Sequence, residues 1–361
     1  MAEIDKLIRL LVEAEGSDLH LSTGRSPMIR QHGDMTPLDL PPMSNEALLD
    51  MLMEITPEDC RADFQTQFDT DFAYDIPGYV RMRVNLFQDL KGCGAVLRVI
   101  PATVISAEQL GLGKGITDFC YLSKGLVVVT GPTGSGKSTT LAGMIDLINQ
   151  TRPDHIITIE DPVEFVHQEK KCHITQREIR RHTKSFASAL RAALRQDPDI
   201  VMVGEMRDLE TIEIAIETAE TGHLVFGTLH TSTAPSTVDR IIDAFPADRQ
   251  NQIRTMLASS LKGVVSQTLL KRLSGGRVAA HEVLIVDRGI SALIRDGKTF
   301  QIASAMQVGR AKGMTMLNDT LLALVTAGQV DPNEAYLKAV DKDDLKSKFG
   351  NAGITLGEAG A

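Results

Sequence analysis

Ile4, Leu7, Ile8 and Leu11 recur at helical spacing, with Asp5, Lys6 and Arg9 on the other side, so the chain opens on an amphipathic helix. The next run, Ser17-Asp18-Leu19-His20-Leu21-Ser22, alternates as a half-buried strand does. Gly24, Pro27, Gly33 and Pro37 then punctuate short strands or turns. A helix is predicted over residues 45–55. Strands at 72–75 and 79–87 read as a hairpin around Pro77-Gly78, with a third strand at 94–100. Residues 1–101 therefore read as a small α+β domain, and 102–115 as a linker with a short helix.

Beyond that point the rhythm changes. Strand-like runs at 126–130, 155–159, 200–203 and 224–229 alternate with helical runs such as Phe186, Ala189, Leu190, Ala193 and Leu194. This alternation predicts a mostly parallel sheet covered by helices, an α/β domain over 116–361. From about Arg249 onward the pattern reads as helical. The Gly- and Ala-rich tail after Gly350 reads as disordered.

Composition narrows the class. A chain of 361 residues is too long for one ordinary core and suits two domains. The formal net charge of −9 argues against a nucleic-acid groove, because phosphate backbones select a basic face. Cys60, Cys93, Cys120 and Cys172 are scattered, a pattern of reduced thiols rather than of a disulfide framework or a four-cysteine zinc site. No apolar stretch is long enough to span a bilayer, and the acidic residues near Met1 speak against a signal peptide. The expectation is a cytoplasmic protein that any membrane role would reach through a partner.

Gly131-Pro132-Thr133-Gly134-Ser135-Gly136-Lys137-Ser138, with Thr139 next, is a complete G-x-x-x-x-G-K-[ST] loop. An apolar run, Leu126-Val127-Val128-Val129, precedes it, and a helix-compatible run follows. Glycines let backbone N–H groups wrap phosphates, and a helix N-terminus favours their charge. Lys137 is placed to meet the β- and γ-phosphates, and Ser138 to ligate Mg²⁺. The loop therefore predicts ATP binding and Mg-dependent hydrolysis.

Three further segments carry candidate chemistry. Ile200-Val201-Met202-Val203-Gly204-Glu205 is a buried strand ending in an acid suited to holding Mg²⁺ through water. Thr158-Ile159-Glu160-Asp161-Pro162-Val163-Glu164 gathers carboxylates at another strand end, where one polarises water, helps seat the metal, or simply faces solvent. His223 and His230 mark the two ends of one strand. A histidine at the ligand end is suited to contacting the γ-phosphate, and His223 reads equally as a histidine bonded to backbone. His167, Cys172 and His173 fit no zinc spacing and read as a surface loop.

These segments resemble, in order and spacing, the Walker A, Asp box, Walker B and His box of the type II/IV secretion ATPase superfamily. Within it the chain is similar to the type IV pilus retraction ATPases, through Gly16-Ser17-Asp18-Leu19-His20-Leu21, Arg81-Met82-Arg83-Val84-Asn85, Ala219-Glu220-Thr221-Gly222-His223-Leu224 and Gly276-Arg277-Val278-Ala279-Ala280-His281-Glu282. The resemblance implies a PAS-like N-terminal domain and a RecA-like ATPase domain. It implies a homo-hexameric motor with ATP near the interface between domains and neighbours. It implies Glu164 as the water-activating acid, Glu205 as the Walker B acid, and Arg83 and Arg98 as arginines reaching the γ-phosphate. It further implies a ring peripheral to the inner membrane, held by the pilus platform protein, that removes pilin and drives twitching motility.

The family's C-terminal signature A-I-R-N-L-I-R stands here as Gly289-Ile290-Ser291-Ala292-Leu293-Ile294-Arg295, and His182 replaces an acid that often follows the Asp box. These departures leave an accessory retraction paralogue open. Assembly ATPases share the chemistry but usually carry a longer N-terminal extension and a tetracysteine motif, which the scattered cysteines do not form. A slow nucleotide-gated switch is the reading from a different class.

Overall fold

The computed structural model describes residues 2–31, 34–100 and 104–357. The turn expected at Gly33, the boundary expected at 101–102 and the last four residues of the tail lie outside them. The chain divides into two compact units, Met1–Thr103 with Glu164–Val166, and Val104–Val163 with His167–Ala361.

The first unit is an antiparallel sheet with helices. Its strands are β1 (Asp18–Ser22), β2 (Met28–Gln31), β3 (Asp34–Pro37), β4 (Asp69–Ile76), β5 (Val80–Asp89) and β6 (Gly92–Ile100), ordered β3-β2-β1-β6-β5-β4. Alternation sets their faces: Leu19, Leu21, Met82, Val84, Leu86, Ala95 and Leu97 are buried. They meet Ile4, Ile8 and Leu11 of the helix Ile4–Glu13 and Leu48 and Leu52 of the helix Asn45–Ile55. The second helix starts where Ser44 accepts a hydrogen bond from Ala47 N. A further helix, Glu58–Gln67, escapes the periodicity because only Cys60 and Phe64 are buried in it.

The second unit is a doubly covered α/β sheet. It holds β7 (Gly125–Thr130), β8 (His155–Glu160), β9 (His173–Glu178), β10 (Ile200–Val203), β11 (Leu224–Leu229), β12 (Leu261–Lys271) and β13 (Arg277–Ile285), ordered β13-β12-β7-β11-β10-β8-β9. Neighbours run parallel except β13, which is antiparallel to β12. Every residue of β7, β10 and β11 is buried, as strands covered on both faces require. One face carries the helices Phe186–Ala193, Leu209–Glu220, Ala234–Asp243 and Gln250–Ser260, and the other the helix Lys137–Thr151.

Three expectations need correction. The region after Arg249 is not all helix: a single helix, Gln250–Ser260, leads directly into the β12–β13 hairpin before helices resume at Arg288–Arg295. Strand β12 is buried on both faces, so it lacks the alternation that marks a strand. The segment around His167 and Cys172 is a loop with residues 168–171 exposed, but His167 and Cys172 themselves are buried and His173 opens β9. The tail does not come loose at Gly350 either. Ile354 and Leu356 pack against the apolar cluster that includes Leu321, Leu345 and Phe349, and Gly357 N donates to Asn333 Oδ1 at 3.1 Å.

Candidate functional site

Strand β7 lies inside the sheet between β12 and β11, and its C-terminal end delivers the chain into residues 131–136. In such a sheet ligands gather at the C-terminal strand ends. Gly131, Gly134 and Gly136 take φ of 147°, 78° and 86°. These conformations suit glycine, and they bend the loop tightly enough to turn its N–H groups together. The helix Lys137–Thr151 begins immediately after, adding its N-terminal dipole. Lys137 Nζ donates to Gly131 O at 2.9 Å and to Pro132 O at 3.2 Å, so the ammonium lies over the loop it must serve. Ser135 Oγ is buried with no hydrogen-bond partner among the described residues, a polar group a bound phosphate can satisfy. Ser138 and Thr139 occupy the first turn of the helix, half-buried.

Neighbouring strand ends supply the acids. Gly204 N donates to Ile159 O at 2.8 Å, and Thr228 Oγ1 donates to Gly204 O at 2.5 Å, fixing the turn after β10. Glu205 leaves that turn and accepts from Arg207 Nε and from His230 Nε2, the latter at 2.6 Å. Burial alone would raise the Glu205 carboxyl, but the bonds from Arg207 and His230 outweigh it and hold the pKa below the usual glutamate value. Glu205 is therefore a carboxylate at neutral pH. His230, at the C-terminal end of β11, is thus brought onto Glu205. His223, at the other end, bonds Thr218 O at 3.2 Å through Nδ1.

Threonines tie the loops together. Thr130 Oγ1, at the end of β7, donates to Thr231 O at 2.7 Å, and the Thr231 hydroxyl lies 2.7 Å from that of Thr237. The strand feeding the phosphate loop is thus bonded to the residue after His230. Beside the loop lies a cleft of about 630 Å³ lined by Pro132, Thr133, Glu205, Arg207, His230 and Arg240, among others.

Glu160 ends β8 buried, with Thr158 Oγ1 donating to it at 2.7 Å. Strand β9 grips both flanks of the segment that carries Glu164: Glu178 accepts from Val163 N at 3.2 Å, and Gln176 accepts from His167 N at 2.9 Å. Glu164 itself is exposed. From the phosphate-loop helix, Asn149 Oδ1 accepts from Lys170 N at 2.9 Å and from Cys172 N at 3.3 Å. Burial lowers the His167 pKa to about 4, so this imidazole is neutral at physiological pH.

The arginines belong to the first unit. Arg83 on β5 is the cross-strand partner of Arg98 on β6. Arg81 and Arg83 share a face, alternating with buried Met82. Arg81 Nη1 pairs with Asp75 at 2.9 Å, Arg83 with Asp71 at 3.8 Å, and Arg98 with Asp18 at 2.6 Å. Burial would raise the Asp18 carboxyl, but bonds from Ser17 and Arg98 bring it below its ordinary value.

Sequence reasoning missed Arg207, Arg240 and Gln267. Arg207 had a signal, lying two residues after Glu205, whereas Gln267 sits on the strand that read as helix.

Comparison with known proteins places this geometry. The family described as type II/IV secretion system protein matches residues 1–275. The chain is 50% identical over 337 residues to the type IV pilus retraction ATPase PilT of Pseudomonas aeruginosa, covering 93% of this chain and 98% of that one. It is also 50% identical over 321 residues to a twitching motility protein of Neisseria gonorrhoeae, covering 89% and 86%. A crystal structure of the pilus retraction motor PilT with bound ADP superposes with a TM-score of 0.89 at 44% identity, covering 96% of this chain and all of that one. Among the described residues, no helix is long and apolar enough to cross a membrane.

Proposed function

This chain belongs to the type II/IV secretion system protein family, and from that premise we propose that it is an ATP-hydrolysing motor that powers type IV pilus retraction and twitching motility. The observation that carries the reading is the complete phosphate loop at the end of β7, with the hydrogen-bonded Glu205 and His230 at the ends of β10 and β11 in the same sheet. In this reading residues 131–139 wrap the phosphates and Lys137 neutralises their charge.

The donor set fits a hard divalent cation: a hydroxyl on the first helical turn and a carboxylate kept ionised. Ser138, and Glu205 through water, would hold Mg²⁺, which would supply charge neutralisation at the phosphates. Glu164 takes the proton of the attacking water, with Glu160 and Asp161 next in line. His230, bonded to Glu205, orients that carboxylate and reports on the γ-phosphate. Arg83 and Arg98 stabilise charge developing on the transferred phosphoryl group.

The wider assembly is part of the same proposal. Residues 1–101 form a PAS-like domain, 102–115 a linker, and 116–361 the RecA-like ATPase domain with its C-terminal helices. Six copies form a ring held under the inner membrane by the pilus platform protein, acting on pilin through it.

Phosphate release by the purified chain tests the enzymatic core. Turnover that needs Mg²⁺, stops with a chelator and disappears in Lys137→Ala supports it. Near-normal turnover by Lys137→Ala removes the phosphate loop from the mechanism.

A further inference from the structure

The hairpin β12–β13 reaches the phosphate loop through Gln267, with Leu269 beside it at Gly136. Ser266 of β12 pairs with Thr130, the last residue of β7, so Gln267 stands level with the point where the loop departs. Gln267 is 4% exposed. Its Nε2 donates to Ser135 O at 2.6 Å, inside the loop. A Cβ on Gly131 would lie 2.3 Å from Gln267 O, and one on Gly136 would lie 3.2 Å from Gln267 Nε2. The loop thus wraps this residue, its entry against the backbone carbonyl and its exit against the side-chain amide.

The bond to Ser135 has a directional consequence. A trans peptide is planar, with its C=O and N–H pointing in opposite directions. Drawing the Ser135 carbonyl toward Gln267 therefore aims the Gly136 N–H away from Gln267. In a loop of this kind the N–H groups are the anion donors. Gln267 Oε1 is buried with no partner among the described residues. Packing alone would favour an apolar side chain here, since an unpaired buried acceptor is unfavourable.

We propose that Gln267 is a positioning residue for the nucleotide, its amide holding the phosphate loop in the shape that presents the Gly136 N–H to the phosphates. The inference rests on reading residues 131–138 as the nucleotide site. It assigns Gln267 to binding rather than to the chemical step, so its loss acts on affinity more than on turnover.

The test compares wild type with Gln267→Met, which keeps length and removes the donor. The readouts are the Kd for ADP, KM and kcat for ATP, melting temperature, and amide exchange over residues 134–138. The expected result is a rise of about tenfold in both Kd and KM, a kcat within about threefold, and faster exchange in the loop. A folded Gln267→Met with wild-type Kd and KM overturns the inference. So does a fall in kcat and melting temperature with Kd unmoved, which would leave a packing role only. Gln267→Glu gives a second reading if the first variant does not fold. Its carboxylate opposes both Ser135 O and the phosphates, so ADP affinity should fall further and recover as lower pH protonates the side chain; pH-independent affinity contradicts the proposal. Lys137→Ala is the control, because near-normal turnover there overturns the site reading itself and this inference with it.

Discussion

Replacing Glu205 with glutamine separates chemistry from stability at the centre of the site. The substitution keeps size and one acceptor oxygen but removes the charge. Its effect on stability is bounded by exposure: the Glu205 side chain is 21% exposed, while Arg207 is 74% and His230 44% exposed. Pairs with partners this open to solvent contribute about 1 kcal/mol or less. In a domain of this size that is a fall in melting temperature of roughly 2–4 °C at most. The effect on hydrolysis is larger, because a preorganised charge at the metal is expected to be worth about 10²–10³ in kcat. Phosphate release, ADP binding and thermal melting on the same preparation decide it. A kcat within about fivefold of wild type in the folded variant refutes the Walker B assignment, since that is far short of the electrostatic loss. The pH dependence of stability gives an independent check. The folded-state pKa of Glu205 is depressed, so its stabilisation is present above the ordinary value of 4.5 and disappears as pH falls through the folded value. The small stability advantage of wild type over Glu205→Gln should therefore vanish in acid and persist at neutral pH. An advantage that grows on acidification has the wrong sign.

Glu164→Gln should bind ATP and fail to cleave it, losing about 10²–10⁴ in kcat; normal hydrolysis would pass the role of base to Glu160 or Asp161. In the helix Arg288–Arg295, Ile294 is fully buried and Leu293 half-buried at the edge of the same core. Ile294→Ala should destabilise by about 2–5 kcal/mol, whereas Leu293→Ala should impair motility more than ATPase activity. Equal loss of both in Leu293→Ala, with a lower melting temperature, leaves that residue only a packing role. An Arg83→Ala, Arg98→Ala chain mixed with a Lys137→Ala chain should regain activity if the arginines act across subunits, because an arginine finger supplied by a neighbour contributes about 10³–10⁵. Confirmed mixed assembly with no recovery speaks against action in trans.

The sequence was most legible where one face of an element is wet. The helix Ile4–Glu13 and strand β5 carry their periodicity openly, because buried Met82, Val84 and Leu86 alternate with more exposed arginines and Asn85. The phosphate loop was legible for another reason: its glycines and Lys137 are dictated by local geometry and charge. Strand β12 was not, since burial on both faces erases the period by which a strand is recognised. Missing β12 concealed Gln267, and missing β9 concealed the grip of Glu178 and Gln176 on the segment around Glu164. The Glu205–His230 bond joins residues 25 apart in sequence, and it exists because β10 and β11 pair in register through Val203 and Gly227. No local pattern encodes that pairing. Arg83 and Arg98 were chosen by resemblance, and the structure adds that they face each other across β5 and β6.

In the proposed function, ATP hydrolysis at residues 131–138 drives pilus retraction. Deleting the gene, restoring either wild type or Lys137→Ala, and counting surface pili while scoring twitching tests it most directly. A retraction motor gives hyperpiliated, non-twitching cells in the deletion, rescued by wild type and not by Lys137→Ala. Bald cells would reverse the direction of work, and full rescue by Lys137→Ala would separate retraction from this site.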